Sequence, residues 1–259
     1  MTQVTTQRAL LDAVHEAARV AGDVAMRHYR TSLAVESKSD GSPVTIADRE
    51  AETAVREWIA RGSPEEGIEG GELGVLRPDA RRRWVIDPID GTKTFVRGVP
   101  LWGTLVAIVE GMDVLAGAAF FPAVDEMVVA ARGEGMWWND ARCCVSRVER
   151  LERATILTTD DRFRDDEAKR SAWRRLSDRA LVSRTWGDCY GYLLVATGRA
   201  EVMVDGSMAA WDAAPFQPII EEAGGVFTDW TGGRTAFGGN AIATNAALAV
   251  ETRGLLLRS

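Results

Sequence analysis

At 259 residues and 28.2 kDa the chain is long enough for one large domain or two closely packed lobes, and 46% hydrophobic with 27% charged residues exclude large-scale disorder. A net charge of -7 and a pI near 5.1 exclude non-specific nucleic-acid binding, which needs a basic surface. No window approaches the ~18 apolar residues of a membrane span, and no basic segment leads into an apolar one near the start, so a cytoplasmic protein is expected.

Leu10, Leu11, Val14, Ala17, Ala18, Ala21 and Ala25 recur at helical spacing and predict a long amphipathic helix ending near Arg30. It carries both histidines, His15 and His28, so neither histidine-based catalysis nor a zinc site is expected. Residues 37–43 read as a polar turn and 46–60 as a second helix, with Thr45 and Asp48 around its first turn, where capping is their ordinary role. Residues 61–79, rich in Gly, Glu and Pro, read as loop and hold Gly67-Ile68-Glu69-Gly70-Gly71-Glu72-Leu73-Gly74. Trp84-Val85-Ile86 predicts a strand breaking into the loop Asp87-Pro88-Ile89-Asp90-Gly91-Thr92. Two carboxylates, a tight turn and a hydroxyl in one hexapeptide suit a divalent cation and a phosphate together. Asp-Pro and Asp-Gly are also ordinary turn dipeptides, so the motif alone leaves both readings open.

Apolar runs at 105–109, 114–121 and 127–131, separated by turn residues, predict an antiparallel meander. An N-terminal lobe is expected over 1–150 and a C-terminal α/β lobe over 151–259, together one catalytic unit. In the second, Ile156-Leu157 predicts a strand, 165–178 a polar helix, 187–197 a helix and 200–204 a strand. Residues 213–223 predict a helix closed by Gly224-Gly225, with last strands at 226–229 and 241–245. Asp212 stands at the start of that helix, where a lone carboxylate is ordinarily a cap. Cys143, Cys144 and Cys189 have no metal-ligand spacing and are expected as free thiols.

Taken in order, Ser42-Pro43-Val44-Thr45 with Ala47-Asp48, the Gly- and Glu-containing loop, the segment from Trp84 to Thr92, and Trp211-Asp212-Ala213-Ala214 followed by Glu222-Ala223-Gly224-Gly225 resemble the inositol monophosphatase family. The resemblance runs from about Lys38 to Asn245. It implies a layered alternating α/β sandwich of the inositol monophosphatase / fructose-bisphosphatase type, magnesium-dependent phosphomonoesterase activity and a homodimer. It also implies that Asp87 bridges two metals, that Asp90 and Asp212 hold the second, and that the Ile89 carbonyl completes the shell of the first. Thr92, with Asp48 behind it, would orient and help deprotonate the attacking water, while the amides of Gly91 and Thr92 hold the phosphate. Paired metals stabilise both oxygens of an in-line displacement, so no covalent enzyme nucleophile is needed.

The segments Thr92 to Trp102 and Trp186 to Tyr192 look like the histidinol-phosphate phosphatase branch of that family rather than the inositol branch. Asp205 matches the family position that contacts the non-phosphate part of the substrate, and with Asp188 it could pair with a substrate ammonium. Lys38 and Arg97 are further candidate substrate residues. The ordinary reading of Asp188 is a helix cap, and that of Tyr190 and Trp186 is core packing.

One place departs from the pattern. Members carry Gly-Glu-Glu where this chain has Gly70, Gly71 and Glu72, so a carboxylate ligand of the first and third metals falls on Gly71. Glu72 or Glu69 could shift into the role, the first metal could be weaker, or the copy could be impaired. The expectation is an intact second site of Asp87, Asp90 and Asp212, with the first and third weakened. The expected reaction is hydrolysis of L-histidinol phosphate to L-histidinol and phosphate in histidine biosynthesis. Hydrolysis of inositol or broader sugar monophosphates is the alternative, and a non-catalytic binding protein of the same fold is the rival of another class.

Overall fold

The computed structural model describes residues 6–37, 43–163 and 166–257. Lys38, the middle of the expected turn at 37–43, and Asp165 at the start of the expected polar helix lie outside the described residues. Helix α1 (Gln7–His28) buries the predicted apolar stripe, and Thr6 caps it by accepting a hydrogen bond from Ala9 N at 3.2 Å. Strands β1 (Glu36–Ser37) and β2 (Pro43–Val44) pair antiparallel and lead into α2 (Ile46–Gly62).

Then follow β3 (Gly67–Gly70), β4 (Gly74–Leu76), β5 (Arg82–Asp90), the short α3 (Thr92–Phe95), β6 (Gly103–Glu110), β7 (Asp113–Phe121), β8 (Glu126–Ala131), β9 (Gly135–Trp138) and β10 (Ala141–Arg142). They build an eight-stranded sheet in the order β10-β9-β8-β7-β6-β5-β3-β4, antiparallel except between β3 and β5. The rest of the chain supplies β11 (Thr155–Thr158), α4 (Glu167–Ser177), β12 (Val182–Arg184), α5 (Cys189–Ala196), β13 (Val202–Asp205), α6 (Ala210–Ala213), α7 (Phe216–Glu222), β14 (Val226–Thr228), β15 (Ala241–Thr244) and α8 (Ala249–Leu256). Its five strands run β12-β11-β13-β15-β14.

Successive residues of a strand face opposite sides of its sheet, and both sides of both sheets are covered. Ile86, Val106, Ile108, Ala116 and Ala118 pack with α1 and α2, whereas Val85, Leu105, Ala107 and Ala119 pack with α5 and α7. Met203 and Ala243 of the second sheet join that same middle layer, while Val202, Val204 and Ile242 pack with Trp173, Leu176 and Leu256 of α4 and α8. The order is helices, sheet, helices, sheet, helices, which is the layered α/β class expected. The middle layer approaches the first sheet so closely that a Cβ on Gly117 of β7 would overlap the backbone of Pro215, and this contact seats α6 against the site.

Three local readings change. Residues 61–79 are not all loop, because β3 pairs with β5 although its sequence offers one apolar residue, Ile68; backbone pairing to a buried neighbour outweighs the low strand preference of glycine. The helix expected over 213–223 is divided at Pro215, which has no N–H to continue the ladder. The strand carrying Trp84-Val85-Ile86 does not break at Asp87 but runs through Asp90, with a register shift between those two aspartates.

Candidate active site

That register shift brings the two aspartates together. Asp87 pairs with Leu105 and Asp90 with Gly103, so three steps along β5 match two along β6. Residues an odd number apart would point to opposite faces of a regular strand; the extra residue of this bulge re-aims one of them. Pro88, which lacks a ladder N–H, sits inside the bulge, and its carbonyl accepts a hydrogen bond from Thr104 Oγ1 at 2.8 Å. Beyond it Gly91 adopts φ +83°, where a Cβ would also crowd Thr94 Oγ1, and from there the chain enters α3. Phe95 and Trp102, both buried, lock α3 down with ring centroids 4.7 Å apart.

Asp212 enters from α6. Its Oδ2 accepts from Ala209 N at 3.2 Å, the capping bond expected of it, whereas Oδ1 is buried without a hydrogen-bond donor. One carboxylate oxygen each from Asp87, Asp90 and Asp212 can be chosen so that all three lie within 4.8 Å of one another, the sole such group among the described residues. Asp90 Oδ2 accepts from Cys189 N at 2.6 Å, taking the cap position of α5. Asp188, expected as that cap, makes no capping bond and is held at φ +48° with its amide on Thr159 Oγ1 at 2.8 Å.

Burial pushes the Asp87 carboxyl up to about 7, helped by repulsion from Asp48 and Glu72 and opposed by a hydrogen bond with Asp212. Burial also raises Asp90 well above the usual carboxylate range, with Asp188 and Asp87 adding repulsion, and raises Asp212 with repulsion from Asp90 and Asp87. All three are half-buried, lining a cleft open to solvent. Clustered carboxylates with an orphaned oxygen fit a divalent cation, whose charge reverses this repulsion.

A testable consequence concerns stability. Between the unfolded carboxylate range near pH ~4 and the raised value of Asp87, the folded chain keeps a proton that the unfolded chain has released. Stability of the metal-free protein should therefore fall as pH rises through that window, and magnesium should restore it. Thermal melts at about pH 5 and about pH 8 should show the larger magnesium-induced rise in Tm at the higher pH. An equal rise at both would contradict the shared burden of charge.

Asp48 does two jobs. Its Oδ2 accepts from Thr45 N at 2.8 Å and Thr45 Oγ1 at 2.6 Å, closing a capping box on the N-cap Thr45 and so filling the capping role read from the sequence, while Oδ1 faces Thr92 Oγ1 at 3.4 Å. Thr92 Oγ1 also lies 3.0 Å from Ile89 O, so its single proton serves one acceptor at a time. The cleft, about 300 Å³, is lined by Pro43, Glu72, Asp87, Ile89, Asp90, Gly91, Thr92, Lys93, Asp188, Ala209, Trp211 and Asp212.

The remaining candidates are placed differently. Asp205 is buried at the end of β13, accepting from Thr159 N at 3.2 Å and Tyr192 Oη at 2.9 Å, and burial pushes it up to about 6. It lines an adjoining cavity of about 420 Å³ with Thr159, Phe163 and Lys169, not the metal cleft. Arg97 donates to Lys93 O and stands outside the cleft. Tyr190 packs on Phe121, while Trp186 is exposed rather than core. Glu69 is engaged by Arg83 at 3.0 Å, which leaves Glu72 as the acidic residue of its loop lining the cleft. His28 pairs with Glu50, and the three cysteines are free.

With this geometry in hand, the chain compares with known proteins as follows. The sequence pattern of the inositol monophosphatase family matches residues 6–257. The chain belongs to that family. A histidinol-phosphatase of Chlorobaculum parvum is 41% identical over 229 residues, 88% of each chain. One from Mycobacterium tuberculosis is 35% identical over 245 residues, 93% of this chain and 92% of that one. The solved structure of an inositol monophosphatase from Zymomonas mobilis superposes with a TM-score of 0.85 at 31% identity, covering 95% of this chain and 96% of that one. Membership makes the chain a phosphatase.

Sequence reasoning missed Lys93 and Trp211. Among the described residues Lys93 is the one cation lining the cleft, and Trp211 lies beside Gly71. The signals were present, since Lys93 follows Thr92 and Trp211 precedes Asp212, but neither residue type announces a role outside three dimensions.

Proposed function

We propose that the protein is a magnesium-dependent phosphomonoesterase that hydrolyses L-histidinol phosphate to L-histidinol and phosphate, as in histidine biosynthesis. The convergence of Asp87, Asp90 and Asp212 beside the Thr92–Asp48 pair carries this reading. Asp87, Asp90, Asp212 and the Ile89 carbonyl would hold magnesium, which would supply positive charge to polarise the phosphoryl group and the attacking water. When Thr92 donates its proton to Asp48, its lone pairs are left to accept from the water, orienting it and helping to draw off a proton. The amides of Gly91 and Thr92 begin α3 and would hold phosphate oxygens.

Asp188 supports the choice of substrate. Freed of capping and lining the cleft beside Gly91, its carboxylate offers a partner for the ammonium of histidinol. Asp205 would bound the adjoining cavity for the rest of the molecule. The two lobes, divided near 150, would act as one catalytic unit within a cytoplasmic homodimer. Phosphate release from L-histidinol phosphate, inositol monophosphate and a nucleoside monophosphate, compared with magnesium present, tests the reading. Preference for the first by at least about tenfold, ~1.4 kcal/mol of discrimination, is expected. Preference for inositol monophosphate would overturn the substrate, and binding without turnover would favour an impaired protein.

Gly71 sets the metal stoichiometry. A Cβ on Gly70 would displace the Glu52 carboxylate from its place, whereas the nearest neighbour of a Cβ on Gly71 would be Trp211 at 3.5 Å, an ordinary contact, with the backbone outside the left-handed region. A glutamate therefore fits at 71. Gly71→Glu should lower the magnesium concentration for half-maximal activity by roughly tenfold, since it adds a charged oxygen donor beside the cation. Unchanged activity and unchanged magnesium dependence would sink the idea that this chain lacks a ligand.

A further inference from the structure

We propose that Glu52, which does not itself line the cleft, is the positioning residue that aims Glu72 into the metal cleft. This rests on the reading that the cleft binds magnesium. Glu52 lies on α2 with no solvent exposure, a costly place for a carboxylate unless it is fully bonded. Its bonds all go to one turn and to the arginine that holds that turn. Oε2 accepts from Glu72 N at 2.8 Å, and Oε1 accepts from Leu73 N at 3.1 Å and from Arg56 Nε at 2.7 Å. Arg56 reaches on to donate to Gly74 O. Gly70 leaves the room this requires, since any side chain there would collide with the Glu52 carboxylate.

Two amides and a carbonyl of residues 72–74 are thus tied to one buried ion pair. Fixing consecutive peptide planes fixes the direction in which the Glu72 side chain leaves the backbone. Glu72 lines the cleft with Asp87, and with glycine at 71 no other carboxylate comes from this turn. Its aim therefore decides whether the Asp87 side of the cleft gains a further oxygen donor. An apolar residue at 52 would take the acceptor from two part-buried N–H groups, and the turn would be free to reorganise toward other partners.

Isothermal titration of the metal-free protein with magnesium tests this directly, using Glu52→Gln, Glu72→Gln, the double variant and Arg56→Lys. Outer partners of metal ligands change affinity by about 10–100-fold, so Glu52→Gln should raise the magnesium Kd about tenfold, and Glu72→Gln similarly. Because Glu52 acts through Glu72, the double variant should be no weaker than Glu72→Gln alone. Arg56→Lys keeps the charge but lacks the planar fork, and should shift Kd in the same direction by less. It carries the test if Glu52→Gln fails to fold. A magnesium Kd equal to the wild type's in either variant, with only Tm reduced, would reduce Glu52 to a structural role. A wild type that binds no magnesium would instead overturn the metal reading and this inference with it, and Asp212→Asn serves as the control that separates the two.

Discussion

Replacing Asp212 with asparagine should abolish magnesium-dependent phosphate release while leaving the metal-free fold as stable as before, or more so. The two effects have opposite signs for one reason. Without a cation, the Asp212 carboxyl is buried beside Asp87 and Asp90, and its Oδ1 has no donor, so its charge is a burden on the fold. With a cation, the same charge becomes a ligand. Metal stabilisation of transition-state charge is worth several kcal/mol, and each ~1.4 kcal/mol is tenfold in rate, so the loss should be on the order of 10³-fold or more. Asparagine keeps the acceptor that caps Ala209 N, so α6 should persist. A variant that loses activity and melts much earlier would mark Asp212 as a structural residue instead.

Thr92→Val should lower kcat by about 10²–10³-fold with little change in Tm, because general-base assistance is worth about that much and the hydroxyl makes only local bonds to Ile89 O and Asp48. Asp48→Asn should lower kcat by a comparable factor and also weaken the α2 cap by about 1 kcal/mol, since Asp48 serves both. The double variant should lose little more activity than Thr92→Val alone, as groups that act in one unit are not additive. Single-turnover rates of the three proteins would show this, and additive losses would mean that Asp48 supports the site only through its helix cap.

Much of this site is legible in the sequence because its residues come in short blocks whose chemistry survives being read in one dimension. Asp87, Asp90 and Thr92 share one hexapeptide, and the meander of β6, β7 and β8 announces itself through apolar runs and turn residues. What joins the blocks is less visible. Asp87 and Asp90 face the same cleft only because of a bulge opposite Leu105 and Gly103, and bulges leave little trace beyond Pro88. The capping readings of Asp48 and Asp212 were correct and incomplete, since each uses one carboxylate oxygen for its helix and leaves the other for the site. Asp188 went the other way, because Asp90 arrives from a distant strand to take its cap.

Elements whose pairing depends on distant partners were hidden as well. β3 and β12 are short, glycine-bearing or polar strands that exist because a neighbouring strand accepts their hydrogen bonds. α8 turns Arg253 inward onto Thr228, Thr244 and two strand carbonyls, a placement that an arginine in sequence never suggests. Glu52 is the same case near the site, a charged residue on a helix that reads as solvated surface until the turn of Glu72 is folded over it.

Phosphate release from L-histidinol phosphate by protein stripped of metal and then titrated with magnesium is the most direct measurement. No release should occur in a chelator, and a saturable return of activity should follow as magnesium is added. Release that persists undiminished in the chelator would contradict a reaction built on Asp87, Asp90 and Asp212 as holders of a cation.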